Sequence, residues 1–236
     1  MTTLYFAAAC LGDGSTSRLL CVEPTTLVIA GWTGRNSAAI EHHIQELEAL
    51  GVPRPSTVPL YYRVSHQQLT QSEVVQALGA ESSGEAEPVL FFTQGEWWLT
   101  VGSDHTDRQV ETYSVAVSKQ MCAKPVAQVA WRWADVVARQ DELHLRSSIW
   151  ENGAWVMYQE GQLAGIRPLE SLRDGYWANG QAQEGAFMFC GTFAAMPNAQ
   201  GVAIRPAERM QIELEDLQLK RRLTHTYATQ VLPVVS

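Results

Sequence analysis

Three stretches of this chain carry acids or bases at spacings that could do chemistry. Glu85 and Glu87 stand in Ser82-Ser83-Gly84-Glu85-Ala86-Glu87-Pro88, directly before the apolar run Val89-Leu90-Phe91-Phe92. In extended backbone a side-chain period of two puts both carboxylates on one face. Two like charges that close cost free energy unless a cation lies between them or one takes up a proton. Hard divalent ions such as Mg²⁺ take oxygen ligands, often one or two carboxylates, and leave positions for substrate and water. Asp104 and Arg108 follow in Gly102-Ser103-Asp104-His105-Thr106-Asp107-Arg108, adding a third carboxylate and a guanidinium. The pattern predicts a carboxylate metal site. For Glu-x-Glu alone the competing reading is an exposed polar strand entrance, since surface carboxylates are the norm.

The third stretch lies on the clearest helix, expected over Ser37 to Leu50. Ile40, Ile44 and Leu47 recur there at helical spacing, Asn36 or Ser37 can cap its start, and Gly51 and Pro53 stop it. His43 falls at the edge of the apolar stripe, with Glu46 three residues on and close enough to hydrogen-bond it. A histidine held by a carboxylate is a common general-base arrangement. The competing reading is a surface His-Glu pair on an amphipathic helix. Lys119 sits in the apolar segment Ala116-Val117-Ser118-Lys119-Gln120-Met121. A lone lysine there is a snorkelling surface residue unless charged partners surround it.

The elements that must position these groups are mostly strands. Strands are expected at 3–9 and 17–30, with a turn at Gly12 to Ser15, and at Leu60 to Val64 after the prolines Pro53, Pro55 and Pro59. Gly31 to Asn36 is a Gly-rich loop but no phosphate loop, because no Lys-Ser/Thr follows its glycines. Thr70 to Leu78 reads as a short helix or turn. Thr93 to Glu96 reads as a hairpin turn into Trp97 to Val101, whose tryptophans suit core and rim packing. Arg108 to Lys119 is helical or irregular, and Ala130 to Glu142 is mixed, beginning with a strand. A hairpin is expected over His144 to Gly161 around Asn152-Gly153, the favoured two-residue turn. A short helix at Pro168 to Leu172 precedes strands at Ala186 to Cys190, Met210 to Leu214 and Leu223 to Val231. With no internal repeat or linker, the chain reads as one β-rich α+β domain over 1–236, opened by a strand pair within 1–27.

Composition narrows the partners. The 236 residues are 46% hydrophobic and 18% charged, with a formal net charge of −8, values of an ordinary globular protein. Lys220-Arg221-Arg222 is the one basic run, too short for a nucleic-acid patch. No apolar run approaches the ~20 residues of a spanning helix, and no basic residue precedes Leu4 to Ala9 as a secretory signal requires. The four cysteines show no Cys-x-x-Cys pairing and stand in mostly apolar settings. A cytoplasmic protein without nucleic-acid or membrane partners is expected.

With those pieces in order, the chain resembles the fumarylacetoacetate hydrolase superfamily over about residues 28–236. Gly34-Arg35-Asn36 followed by His43-x-x-Glu46 is similar to the family's Gly-Arg-Asn-Tyr loop and His-x-x-Glu lid. Glu85-x-Glu87 resembles its paired metal carboxylates, and Asp104-x-Thr-x-Arg108 its Asp-x-Thr-x-Arg segment. Lys119 falls where the family places an active-site lysine before a proline, here Pro125. Asn152-Gly153, Cys190-Gly191-Thr192 and the strand from Met210 have counterparts. The spacer between Asn36 and His43 is longer than usual, which makes His42 a rival for the dyad. The family's Gly-Thr-Pro is Gly191-Thr192-Phe193 here, its aromatic after Asn is Ser37, and the segment from Asp104 to Lys119 is shorter. These departures bear on substrate identity more than on metal binding.

The resemblance implies a mixed β-roll with a few helices, usually a homodimer. It implies Mg²⁺ or Mn²⁺ at Glu85, Glu87 and Asp104, with Lys119, His43 and Glu46 catalytic and Arg108, Gly191 and Thr192 binding substrate. The implied activity is hydrolysis of a C–C bond in a 2-oxo or 1,3-dicarbonyl acid. Decarboxylation, hydration, dehydration or isomerisation on the same scaffold, or keto-acid binding without turnover, are the alternatives.

Overall fold

Strands dominate the chain, as its β-branched and aromatic runs require. The computed structural model describes residues 2–10, 18–49, 54–178 and 181–235, without the side chains of His43, Glu46, Leu47 and Ala49. In chain order the elements are β1 (Leu4–Ala9), β2 (Arg18–Val22), β3 (Thr26–Gly31), α1 (Ser37–Ala49), β4 (Leu60–Val64), β5 (Leu69–Thr70), β6 (Val74–Leu78) and β7 (Ser82–Ser83). Next come β8 (Ala86–Thr93), β9 (Glu96–Ser103), β10 (Thr106–Asp107), α2 (Arg108–Glu111), α3 (Val115–Gln120), β11 (Lys124–Pro125) and β12 (Val129–Arg132). The last are β13 (His144–Glu151), β14 (Ala154–Gln162), α4 (Leu169–Tyr176), β15 (Ala186–Phe189), β16 (Arg209–Asp216) and β17 (Arg221–Leu232).

Eight strands form one sheet in the order β2-β1-β12-β9-β8-β15-β3-β4, and five form a second in the order β14-β13-β16-β17-β6. The central strands of the first sheet are buried on both faces, which is why Val89 to Phe91 reads as a continuous apolar run rather than an alternating one. Leu90, Leu99, Val101 and Met188 pack with Leu145, Ile149, Ile212 and Leu223 of the second sheet, while Phe6, Val89, Phe91, Trp98 and Phe187 fill a core on the other face. The Phe6 and Phe91 rings lie 4.4 Å apart, although two strands stand between β1 and β8. Along a flat sheet that separation would be about 14 Å, so the sheet curls around this core, as a β-roll does. The architecture is the β-rich α+β class with few helices.

Several local expectations change. Thr70 to Leu78 is neither helix nor turn. Leu69–Thr70 pairs in parallel with Lys124–Pro125, and Val74–Leu78 pairs in parallel with Ala228 to Leu232. Val74 to Leu78 alternates in burial, so a long-range edge pairing overrides the polar Gln71-Ser72-Glu73 that suggests a turn. The stretch 17–30 is broken at Glu23 to Thr25 into β2, on the sheet's edge, and β3, six positions away in the strand order. Arg108 to Lys119 forms two short helices, capped by Asp107 Oδ1 on Val110 N at 2.9 Å and by Ser114 Oγ on Val117 N at 3.4 Å. Cys122 and Cys190 are buried as expected, but Cys21 is exposed. The turn at Gly12 to Ser15 and the helix stop at Gly51 and Pro53 lie outside the described residues. No helix among the described residues is long and apolar enough to cross a membrane.

Candidate metal centre

The open end of the β8–β9 hairpin builds the site. Antiparallel pairing of Ala86 with Ser103 places Glu85 opposite Asp104, and Asp104 N donates to Glu85 O at 2.9 Å. Glu87 follows Glu85 by two positions on the same face of the extended backbone. One oxygen each of Glu85, Glu87 and Asp104 therefore lie within 4.8 Å of one another. Glu87 and Asp104 are buried, and Glu85 is half-buried. The competing reading of an exposed strand entrance does not describe this place.

Three cations surround the carboxylates. Lys119 Nζ, at the end of α3, hydrogen-bonds Asp104 Oδ2 and lies 3.3 Å from Thr106 Oγ1 and 3.7 Å from Glu85 Oε2. Lys124 Nζ is 3.2 Å from Asp104 Oδ1 and donates to the carbonyls of His105, Lys119 and Cys122 at 2.6, 2.6 and 3.0 Å. Arg108 Nη2 is 3.1 Å from Glu85 Oε1, while its Nε and Nη1 bind Ser83 Oγ and Glu111. Burial pushes Asp104 up, but Lys119 and Lys124 more than offset it and hold its carboxyl below the usual range. Burial, then Asp104 and Glu85, push Glu87 well above that range. Burial opposes the charge of Lys119, yet Asp104, Glu85 and Glu87 together raise its pKa. For Lys124 burial prevails and the pKa falls.

The exit of β15 closes the site from the other side. Gly191 N donates to Glu87 Oε2 at 2.7 Å. Gly191 has φ +97°, and a Cβ there would lie 1.7 Å from Thr33 Oγ1, so only glycine lets this turn meet the loop after β3. Thr192 Oγ1 donates to Ala86 O at 2.6 Å and accepts from Gln159 Nε2 at 2.8 Å. Gln159 also bonds Phe193 O, Ala86 N and Ser147 Oγ. The Gly31 to Asn36 loop is fixed by Arg167 N on Thr33 O, by Arg35 N on Gly165 O, and by the Arg35–Asp141 ion pair. Asn36 Oδ1 then caps α1 by accepting from Ala39 N.

Above the carboxylates opens a cavity of about 420 Å³, with Glu85, Glu87, Lys119, Gly191 and Thr192 on its lining. Lys119 has the charged company that separates it from a surface lysine. Arg108 is brought to the triad but stands behind Glu85 and off the cavity lining. His43 and Glu46 are on α1, but their side chains lie outside the described residues, and His42 is exposed. Sequence reading missed Lys124, Gln159 and His105, whose ring bridges Ser82 Oγ at 2.9 Å and Tyr227 OH at 2.8 Å beneath Asp104.

The donor set suits a hard divalent cation. It is all oxygen and it concentrates three carboxylates in a buried place.

A family described as "Protein of unknown function (DUF2848)" matches residues 30–227. No curated protein sequence matches the chain. Among solved structures the chain is similar to 2-keto-3-deoxy-D-arabinonate dehydratase complexed with magnesium and 2,5-dioxopentanoate. That likeness has 10% identity and a TM-score of 0.61, and covers 94% of this chain and 79% of that one. It is also similar to fumarylacetoacetate hydrolase from psychrophilic Exiguobacterium antarcticum, at 13% identity and a TM-score of 0.56, covering 92% and 80%. A third is 4-oxalocrotonate decarboxylase from Pseudomonas putida G7 complexed with calcium and acetate, at 16% and 0.53, covering 87% and 76%. The chain belongs to the DUF2848 family, and its fold is that of the fumarylacetoacetate hydrolase superfamily.

Proposed function

We propose that this protein is a metal-dependent enzyme that hydrolyses a C–C bond in an acylpyruvate-like 2-oxo acid, with Mg²⁺ or Mn²⁺ held by Glu85, Glu87 and Asp104. The observation that carries the reading is the convergence of Glu85, Glu87 and Asp104 with Lys119, beside a cavity lined by Glu85, Glu87 and Lys119. Solved structures of the same fold include a hydrolase, a dehydratase with magnesium and a decarboxylase with calcium in their descriptions, which supports it. A divalent ion in this place supplies Lewis-acid stabilisation for negative charge developing on the 2-oxo group.

The chain's own groups do the rest. Lys119 Nζ binds the substrate carboxylate while Asp104 holds the amine in place. The Gly191-Thr192 turn shapes the floor, and its N–H fixes the Glu87 carboxylate. The apolar walls around Trp32, Tyr62, Tyr158 and Phe193 lower the local dielectric near the developing charge, which strengthens each of these interactions. His43, oriented by Glu46, takes a proton from water as it adds to the distal carbonyl. The bond between C3 and the distal carbonyl carbon then breaks, the electron pair passes towards the 2-oxo group, and C3 takes up a proton to give pyruvate and a carboxylic acid.

A second reading, decarboxylation or dehydration, is favoured by one observation. The similar solved structures include a dehydratase and a decarboxylase, and those reactions need no activated water. Turnover of a panel of acylpyruvates, oxo-acids and sugar-derived keto acids with Mg²⁺ or Mn²⁺ tests both. Metal-dependent release of pyruvate from acylpyruvates supports the proposal. Loss of CO₂ or water without C–C hydrolysis supports the second reading. Tight binding across the panel with no turnover contradicts both.

A further inference from the structure

We infer that the substrate is a monocarboxylic 2-oxo acid whose far end is an apolar acyl or aryl group, and that the cavity disfavours a second carboxylate or a polyhydroxylated chain. The inference rests on the 2-oxo-acid reading and adds the chemistry of the other end of the molecule. Beyond the floor, the wall is made by Trp32, Tyr62, Val115, Tyr158, Phe193 and Ile204. Among the described lining residues Lys119 is the single cation, and it is the group that the first carboxylate of the substrate occupies.

Among the described residues no other cation lies on the cavity lining to meet a second carboxylate. Arg108 is off the lining and bound to Ser83, Glu85 and Glu111. Arg205 lies behind the wall, its guanidinium 5.3 Å from the Tyr158 ring centroid. Its donors go to both oxygens of Glu151 and to the carbonyls of Met196, Val202 and Ala203. The remaining charged group on the lining, Glu111, is an acid. A far carboxylate would therefore lose hydration without gaining a partner.

Two polar wall groups, Gln159 and Thr192, are already engaged. Gln159 makes two bonds through its oxygen and two through its amide nitrogen, which is its full capacity. Thr192 Oγ1 both donates and accepts, and Tyr158 OH accepts from Arg205 N at 3.3 Å. A substrate hydroxyl directed at Gln159 or Thr192 would have to break these bonds, whereas an aryl or alkyl group needs none of them. The aromatic walls and the volume of about 420 Å³ suit such a group.

The test uses the Mn²⁺-loaded protein and ligands that are not turned over. Calorimetry compares oxalate, N-benzyloxamate and N-(2-carboxyethyl)oxamate, which share a chelating head and differ in the tail. N-benzyloxamate should bind at least about tenfold more tightly than the carboxyethyl compound. Ile204 is half exposed, at 50%, so Ile204→Arg leaves the core intact and puts a cation on the wall. It should move the ratio of the two affinities towards the carboxyethyl compound by about tenfold. If oxalate binds but the carboxyethyl tail is as good as the benzyl tail, the inference is overturned and the 2-oxo-acid reading stands. An unchanged ratio in Ile204→Arg overturns it too. Failure of oxalate to bind the wild-type protein overturns both.

Discussion

Lys119 Nζ hydrogen-bonds Asp104 Oδ2 while Lys124 Nζ stands 3.2 Å from Asp104 Oδ1, so one buried carboxylate is held between two buried amines. Removing one partner of a buried pair leaves an uncompensated charge, which costs more than the pair itself contributes. Lys119→Met should therefore destabilise the metal-free protein by about 3 kcal/mol. Lys124 stays beside Asp104, which keeps the loss near the low end of the range for such pairs. A divalent cation would restore positive charge at the same carboxylate, so Mn²⁺ should raise the melting temperature more in Lys119→Met than in wild type. Denaturant unfolding with and without Mn²⁺ checks this. Equal metal-induced shifts would mean that the cation and Lys119 do not share Asp104.

The His105 ring is buried between Ser82 and Tyr227. Burial, helped by Lys124, takes its pKa from 6.5 down to about 3. Between those values the unfolded chain binds a proton that the folded chain refuses. Its contribution to stability is therefore complete above pH 6.5 and declines as pH falls, by up to about 1.4 kcal/mol per pH unit. His105→Gln, measured by denaturant midpoint between pH 7 and 5, should show a shallower decline than wild type. His225 is shifted in the same direction by burial, so some slope remains. An identical slope in the variant would show that His105 is already protonated in the fold.

The metal centre was legible because its geometry is local. Glu85 and Glu87 are two apart in extended backbone, and Asp104 returns on the next strand of a hairpin. What supports them could not be read that way. Gln159 reaches Ala86 across 73 positions, Gly191 reaches Glu87 across 104 and Tyr227 reaches His105 across 122, and no periodicity links such partners. Lys124 was passed over for the same reason, since a lysine before a proline carries no mark of being fully buried on three carbonyls. Thr70 to Leu78 misleads in the opposite sense. Its local polar residues suggest a turn, while the strand partner that decides its conformation begins at Ala228. The helix from Ser37 was visible from its stripe of isoleucines and its Asn36 cap, because helix periodicity and capping are both short-range.

If His43 and Glu46 form the general-base pair, neither is needed to hold the metal. His43→Ala should then leave Mn²⁺ and oxalate affinity nearly as in wild type and lower kcat by roughly 10²–10⁴-fold. Glu46→Gln should act in the same direction, and the double variant should lose little more, since coupled residues act as one unit. His42→Ala should stay close to wild type. Steady-state kinetics on the four proteins decides the register. Loss of kcat in His42→Ala with His43→Ala intact would shift the dyad by one residue. Full kcat in all of them would leave the chemistry to the metal centre and Lys119.

The central claim is that Glu85, Glu87 and Asp104 form one divalent-metal centre, and Glu87→Gln tests it most directly. Glutamine keeps an oxygen for the Gly191 N–H and removes the charge that burial, Asp104 and Glu85 oppose. The metal-free variant should thus be at least as stable as wild type near pH 7.5, which separates a fold defect from a binding defect. Titrating Mn²⁺ calorimetrically into both proteins should show a single site in wild type, and affinity at least about a hundredfold weaker in Glu87→Gln. A folded Glu87→Gln protein that binds Mn²⁺ as tightly as wild type would contradict the account.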